Sequence, residues 1–200
     1  AQGNSGKLVS LLREEGRKIA AANQAEFILT DGPPGIGCPV IASLAGPGFV
    51  LIVTDPTLAG DHGLRRLVNE ASNLDFLNLQ QTDITDDTLR QLGGVARLRQ
   101  LTLDVTRVGD LGLQHLAGLK SLEDLTLDQT KITSEGLRHL ADLRGLQRLS
   151  LCGTAITDAG LRHLAGLRGL QRLSLCDTAI TDIGLESLYH LDKLRELDLA

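Results

Sequence analysis

From Leu74 onward the apolar positions recur with a fixed period. The pattern L-x-x-L-x-L-x-x-T-x-[IV]-x-x-x-x-L-x-x-L-x-x-[LV] starts at Leu74, Leu98, Leu122, Leu146 and Leu170, each 24 residues after the last, and a further start at Leu194 runs through Leu197 and Leu199. The first part of each unit alternates apolar and polar residues, as a strand with one buried face requires. The later Leu161, Leu164 and Leu167 are spaced as on one side of a helix. Each unit therefore predicts one strand and one short helix. Neither can bury its apolar side alone, so the units must stack, with the strands in one parallel sheet and the helices in a second layer.

Residues 1–73 lack this period but still alternate between element types. Leu8, Leu11, Leu12 and Ile19 give residues 7–22 a helical apolar stripe. Residues 26–31 read as a strand running into the turn Gly32-Pro33-Pro34-Gly35, 37–45 as a second helix, 49–54 as a second strand and 60–72 as a third helix. Strands joined by helices of this length predict parallel pairing through right-handed crossovers. The strand at 49–54 is then expected beside the first repeat strand at 74–79, so that one sheet runs through both halves without a flexible linker near residue 73.

Composition narrows the core chemistry. The chain is 42% hydrophobic but 2% aromatic, with no Met and no Trp, so its core is built from Leu, Ile, Val and Ala. Twenty basic against 25 acidic residues leave a net charge of −5, which supplies no footprint for nucleic acid or an anionic membrane. The longest apolar stretch, 41–53, is interrupted by Gly46-Pro47-Gly48, and the first twenty residues are rich in charge. Neither reads as a transmembrane span or a signal peptide. Three unclustered cysteines argue against a disulfide scaffold or a four-thiolate zinc site, and the expectation is a cytoplasmic protein without cofactors.

The repeated motif resembles the leucine-rich repeat, and the I-T-D-x-G-L-x-x-L element at 156–164 is most similar to the ribonuclease-inhibitor and F-box-associated varieties. The resemblance implies a right-handed solenoid, so the expected fold is α/β, with half of a doubly wound parallel sheet, contributed by residues 1–73, continuing into that solenoid. The solenoid comprises residues 74–200, as five units and a final strand. Position nine of each unit is Thr82, Thr106, Thr130, Thr154 or Thr178, where a small side chain turned inward must satisfy backbone groups as the chain leaves the strand. The Thr-Asp pairs at 85–86, 157–158 and 181–182, with Thr133-Ser134 as a variant, are placed to cap each helix.

In the first half, the run from Ile28 through Asp31-Gly32-Pro33-Pro34-Gly35-Ile36-Gly37 to Ser43, followed by Val53-Thr54-Asp55-Pro56-Thr57, resembles the central part of MinD/Mrp-type P-loop ATPases. The resemblance implies a role for Asp31 with magnesium and the attacking water, and a place near the nucleotide base for the 54–57 loop. The chain departs from that family at a decisive point. No glycine loop ending in Lys-Ser/Thr precedes Asp31, and Gly3-Asn4-Ser5-Gly6-Lys7-Leu8 lacks both the earlier glycine and the hydroxyl residue that holds magnesium. Without those groups the phosphates have no clamp. Asp31, Gly32, Gly35 and Gly37 are therefore read as a vestigial nucleotide site, and residues 1–73 as an ATPase-like fragment capping the solenoid.

Three further groups could carry chemistry. Cys152 and Cys176 share one repeat position, a strand spacing apart, but neighbouring side chains on a sheet point the same way, so free thiols are expected. Cys38, at the start of the expected 37–45 helix, reads as a small buried residue more readily than as a nucleophile. His115, His139 and His163 form a row on successive helices, too far apart to share a metal. The outward strand positions, among them Phe76, Asp104, Asp128, Arg148 and Arg172, form the face on which a protein partner would dock, passing from acidic to basic. Asp128 and Arg148 are expected to pair with each other across adjacent strands. The leading reading is a structural chimera, engineered or recombined, with no evolved catalysis. A protein-binding module using the concave face and a remnant nucleotide-binding protein are the alternatives. The last strand, flanked by Lys193, Arg195, Glu196 and Asp198, is expected to support a weak homodimer through its open edge.

Overall fold

A computed structural model describes residues 27–30, 40–44, 49–53 and 74–199. They form one sheet of nine strands whose spatial order follows the chain: β1 (Phe27–Thr30), β2 (Val40–Leu44), β3 (Phe49–Val53), β4 (Leu74–Asn78), β5 (Gln100–Thr102), β6 (Asp124–Thr126), β7 (Arg148–Ser150), β8 (Arg172–Ser174) and β9 (Glu196–Asp198). From β3 to β9 every pairing is parallel, and from β4 on the register sets identical repeat positions side by side. Leu77 lies beside Leu101, then Leu125, Leu149, Leu173 and Leu197.

That register produces a continuous aliphatic core. Leu77, Leu101, Leu125, Leu149 and Leu173 are buried, as are Leu92, Leu116, Leu140 and Leu164 from the helical layer. Each such leucine contributes about 1.5–3 kcal/mol of burial. No single unit provides both sides of its own core, so this energy exists only when units stack. The helical segments are short. Two-part turns at Asp86–Leu89 with Arg90–Gly94, Asp158–Leu161 with Arg162–Leu164, and Asp182–Leu185 with Glu186–Leu188 pass from α to 3₁₀ geometry, Gly136–Leu140 is wholly 3₁₀, and Asp110–Leu116 is the longest α-helix among the described residues.

The threonine ladder occurs as its chemistry requires. Thr82, Thr106, Thr130 and Thr154 are buried, and their hydroxyls donate to the carbonyls of Leu79, Leu103, Leu127 and Leu151 at 2.6–2.7 Å. The residue just before each threonine takes a left-handed conformation, with φ of 57° at Gln81, 56° at Val105, 53° at Gln129, 64° at Gly153 and 52° at Asp177. The turn out of the strand thus imposes the same backbone on five different sequences.

The first part of the sheet differs from expectation. Residues 40–44 form a strand where the sequence predicts a helix over 37–45, and β1, β2 and β3 pair antiparallel rather than in parallel. Connection length gives the reason. Only residues 45–48 separate β2 from β3, and 31–39 separate β1 from β2, too few for a crossover of a dozen or more residues. The β-branched pair Val40-Ile41, in a short, mostly apolar segment of six residues bounded by Pro39 and Gly46-Pro47, also favours a strand over a helix. The parallel half-sheet expected of residues 1–73 is thereby corrected for β1 to β3. Residues 54–73 are long enough for a crossover, and β3 pairs in parallel with β4, with a register shift between Phe49 and Val50. The helices read at 7–22 and 60–72 lie outside the described residues.

Candidate binding face

The strands present their outward side chains at the third, fifth and seventh positions of each unit. At the third, parallel register sets Asp124 opposite Arg148 and Arg172 opposite Glu196. Arg148 Nη2 meets Asp124 Oδ2 at 2.6 Å, and Arg172 Nε meets Glu196 Oε2 at 3.0 Å. The expected Asp128–Arg148 pair is therefore replaced by Asp124–Arg148. Asp128 sits four residues further along and lies nearer Cys152 than Arg148, because the ladder pairs equal positions. One position earlier, Arg99 and Glu123 pair in the same way at 2.8 Å.

At the seventh position the carboxylates are occupied by backbone. Asp104 Oδ1 accepts the Asp128 N–H at 2.9 Å, and Asp128 Oδ1 accepts the Cys152 N–H at 2.8 Å and the Ser150 hydroxyl at 2.6 Å. Burial pushes the Asp104 carboxyl above its ordinary value, against the opposing pull of the Asp128 N–H. The acidic stretch of this face is thus less available to a charged ligand than its sequence suggests. Between these rows, the fifth position carries Asn78, Thr102, Thr126, Ser150 and Ser174, all half-buried. Phe76, also half-buried, stands at the start of the face.

Cys152 and Cys176 are joined as a disulfide with Cα atoms 4.6 Å apart, correcting the expectation of free thiols. Both lie just past their strands, immediately before the left-handed residues Gly153 and Asp177, where side chains on adjacent units can incline toward each other. The signal available in the sequence was their identical repeat position.

A second set of joints between units lies on the helical side. The Thr-Asp pairs are expected to cap their own helices, yet Asp86 and Asp158, with Asp110 and Ser134 at the same repeat position, reach into the next unit. Asp86 Oδ1 accepts the Gly109 N–H at 2.6 Å, Asp110 takes both the N–H and the hydroxyl of Thr133 at 2.8 and 2.6 Å, and Ser134 Oγ accepts the Thr157 N–H at 3.0 Å. Helix glycines leave room for this joint: a Cβ on Gly112 would stand 2.6 Å from Asp86 Oδ1, and those on Gly136 and Gly184 would collide with Asp110 and Asp158. The first unit carries Thr88 where the later ones carry glycine. Local capping does occur, with Thr181 Oγ1 accepting the Ile183 N–H.

The histidine row is partly exposed. Arg138 Nε donates to His139 Nε2 at 3.3 Å, and partial burial with the Arg138 charge holds His139 below its ordinary value. Among the described residues no group of three or more His, Cys, Asp and Glu is placed to hold a metal. Nor is any helix long and apolar enough to cross a membrane. Asp31, Gly32, Gly35, Gly37 and Cys38 lie outside the described residues.

Comparison with known proteins agrees with this architecture. Residues 144–200 match the leucine-rich-repeat family model. Internalin C2 of Listeria monocytogenes aligns with 28% identity and a TM-score of 0.56 over 66% of this chain and 54% of its own. A leucine-rich-repeat protein of Leptospira interrogans aligns with 26% identity and a TM-score of 0.54 over 64% of this chain and 32% of its own. An uncharacterized protein of Methanocaldococcus jannaschii is 29% identical over 79 residues, 40% of this chain, and the chain spans about a quarter of that relative's length, 26%. The described residues from Leu74 onward form an α/β leucine-rich-repeat solenoid with an open sheet.

Proposed function

We propose that this protein is a non-catalytic binding module whose outward sheet face takes a protein partner. The observation that carries the reading is the row of half-buried, uncharged hydrogen-bonding side chains, Thr102, Thr126, Ser150 and Ser174, running across four consecutive strands on the side away from the described helices. The flanking charges pair with each other, so the face suits a polar, weakly charged surface, with Phe76 as an apolar anchor at one end. Asp104, Asp128, Arg148 and Arg172 tune this face chiefly by holding it rigid.

The test is a photo-crosslinking residue placed at Thr126 or, as a control, at exposed Glu135 on the helical side. Expected are adducts with one partner from position 126 that are absent from position 135 and persist at about 0.5 M salt, beyond the range of surface electrostatics. Equal labelling from both positions, or none from 126, overturns the reading.

Residues 1–73 serve in this reading as an N-terminal cap, a role supported by the β3–β4 pairing. Their ATPase-like motif, and the origin of the chain as a chimera of two families, rest on sequence resemblance. Calorimetric titration with magnesium and ATP separates cap from enzyme: no heat is expected, and micromolar binding lost in Asp31→Ala would restore the nucleotide reading. The β9 edge is a second, weaker contact surface for another copy of the chain. Antiparallel self-pairing centred on Leu197 would set Glu196 against Asp198, so such a dimer is expected only at high protein concentration and high salt.

A further inference from the structure

We propose that the Cys152–Cys176 disulfide is a reversible redox-modification site, and that its opening by a thiol reductant loosens residues 170–199 from the units before them. The seventh position of each unit carries a link to the next. Asp104 makes it by accepting the Asp128 N–H, and Asp128 makes it by accepting the Cys152 N–H. At the following step the side chain is Cys152, a poor acceptor, and the link to Cys176 is the sulfur–sulfur bond. A covalent, reducible joint thus stands where the preceding units use a carboxylate. Both cysteines are half-buried at the rim of the outward face, within reach of a small thiol.

Stability in a stack of repeats is a sum of unit and nearest-neighbour terms, so loss of one bond between units acts first on the interface that it spans. Backbone bonds remain across the same boundary, from Leu151 N–H to the Ser174 carbonyl at 3.0 Å and from Gly153 N–H to the Cys176 carbonyl at 2.9 Å. Reduction therefore weakens one interface without dismantling the sheet.

In the exchange, a thiolate attacks one Sγ, forms a mixed disulfide and expels the other cysteine as a thiolate, which takes a proton from water. A second thiolate then attacks the reductant's sulfur in the mixed disulfide and releases the remaining cysteine. Two reductant thiols become one disulfide, and the cystine becomes two thiols; a low-molecular-weight disulfide reverses the sequence.

The experiment is hydrogen exchange read by mass spectrometry on the full chain with Cys38→Ser, so that only this pair reacts. It compares protein oxidised with oxidised glutathione, protein reduced with dithiothreitol, and the Cys152→Ser/Cys176→Ser variant. Expected is a rise of at least about tenfold in the exchange of amides 172–199 on reduction, reversed on reoxidation and matched by the double variant, with 100–127 changing by less than about twofold. Equal exchange in the two states, acceleration spread along the whole solenoid, or two thiols still open to alkylation after oxidised-glutathione treatment overturns the proposal. Should the double variant fail to fold, the comparison of oxidised and reduced protein decides alone.

Discussion

Asp158 holds Thr181 by two atoms at once: Oδ1 accepts the Thr181 N–H and Oδ2 accepts its hydroxyl, both at 2.7 Å, across a sequence separation of 23 residues. The N–H bond first, then the hydroxyl, lowers the Asp158 carboxyl below its ordinary value. The joint is a charged clasp between consecutive units.

Its sign in a pH titration follows directly. A carboxyl held below its ordinary value binds protons less readily folded than unfolded, so it adds stability that is complete above 3.8, the ordinary value, and lost as pH falls through the folded value. Asp104, raised by burial, has the opposite sign: its charge costs stability near neutrality, and that cost disappears in acid. Asp158→Asn should therefore lower stability at about pH 7 and converge on the parent near about pH 2, whereas Asp104→Asn should match or exceed the parent at about pH 7. Urea unfolding of the three proteins across this range checks both. Parallel curves for the parent and Asp158→Asn would contradict the clasp.

Two glycine substitutions should separate close approach from helix propensity. In Gly112→Ala the new methyl meets Asp86 Oδ1 at 2.6 Å, with Leu89 and Val108 each at 3.1 Å, and Asp86 is already pinned by its bond to Gly109. The gain of about 1 kcal/mol from replacing a helical glycine is offset by loss of that bond, and a net destabilisation of about 1 kcal/mol is expected. Gly94→Ala, with nothing within 4 Å of the added carbon, should be neutral or stabilising. Thermal melts of the two variants must differ in sign or nearly so.

Val105 is a β-branched residue at φ 56°, a backbone region that such side chains seldom enter, and it is 45% exposed. Val105→Asn should stabilise the protein by about 1 kcal/mol, since asparagine tolerates this conformation and no buried packing is lost. Denaturant midpoints with an unchanged slope would confirm that the folded state is the one relieved. Unchanged or lower stability would locate a contact of Val105 that offsets the strain.

Thr130 tests the threonine ladder. It is buried, and its hydroxyl donates to the Leu127 carbonyl at 2.6 Å. Thr130→Val keeps the shape and removes the donor, so about 1–2 kcal/mol of stability should be lost. Thr130→Ser, which keeps the donor, should recover most of it in the same denaturation assay.

Removing residues 1–73 should expose the far edge of β4, because β3 pairs with it along Leu74, Phe76, Leu77 and Asn78. An open parallel edge beside an apolar layer favours association, and the fragment 74–200 is expected to aggregate where the full chain stays dispersed. A soluble fragment melting at the temperature of the full chain would show instead that the two parts are independent domains.

The periodic features were legible in the sequence because they depend on local spacing. Leucines at strand and helix intervals, recurring every 24 residues, determined the stacked α/β units, the position-nine threonines turned inward and the side chains facing outward. What the tertiary structure decided was which of those side chains meet. Arg148 finds Asp124 rather than Asp128 because parallel register aligns equal positions. Asp158 serves Thr181 rather than only its own helix because the neighbouring unit brings a backbone N–H within 2.7 Å. Cys152 and Cys176 join because the turn beyond the strand frees them from the pleat, and 40–44 pairs as a strand because its connections are too short to cross over. Spacing along the chain specifies what each residue can form, whereas contacts between units depend on how rigid layers come to rest against one another, which is a property of the assembled stack.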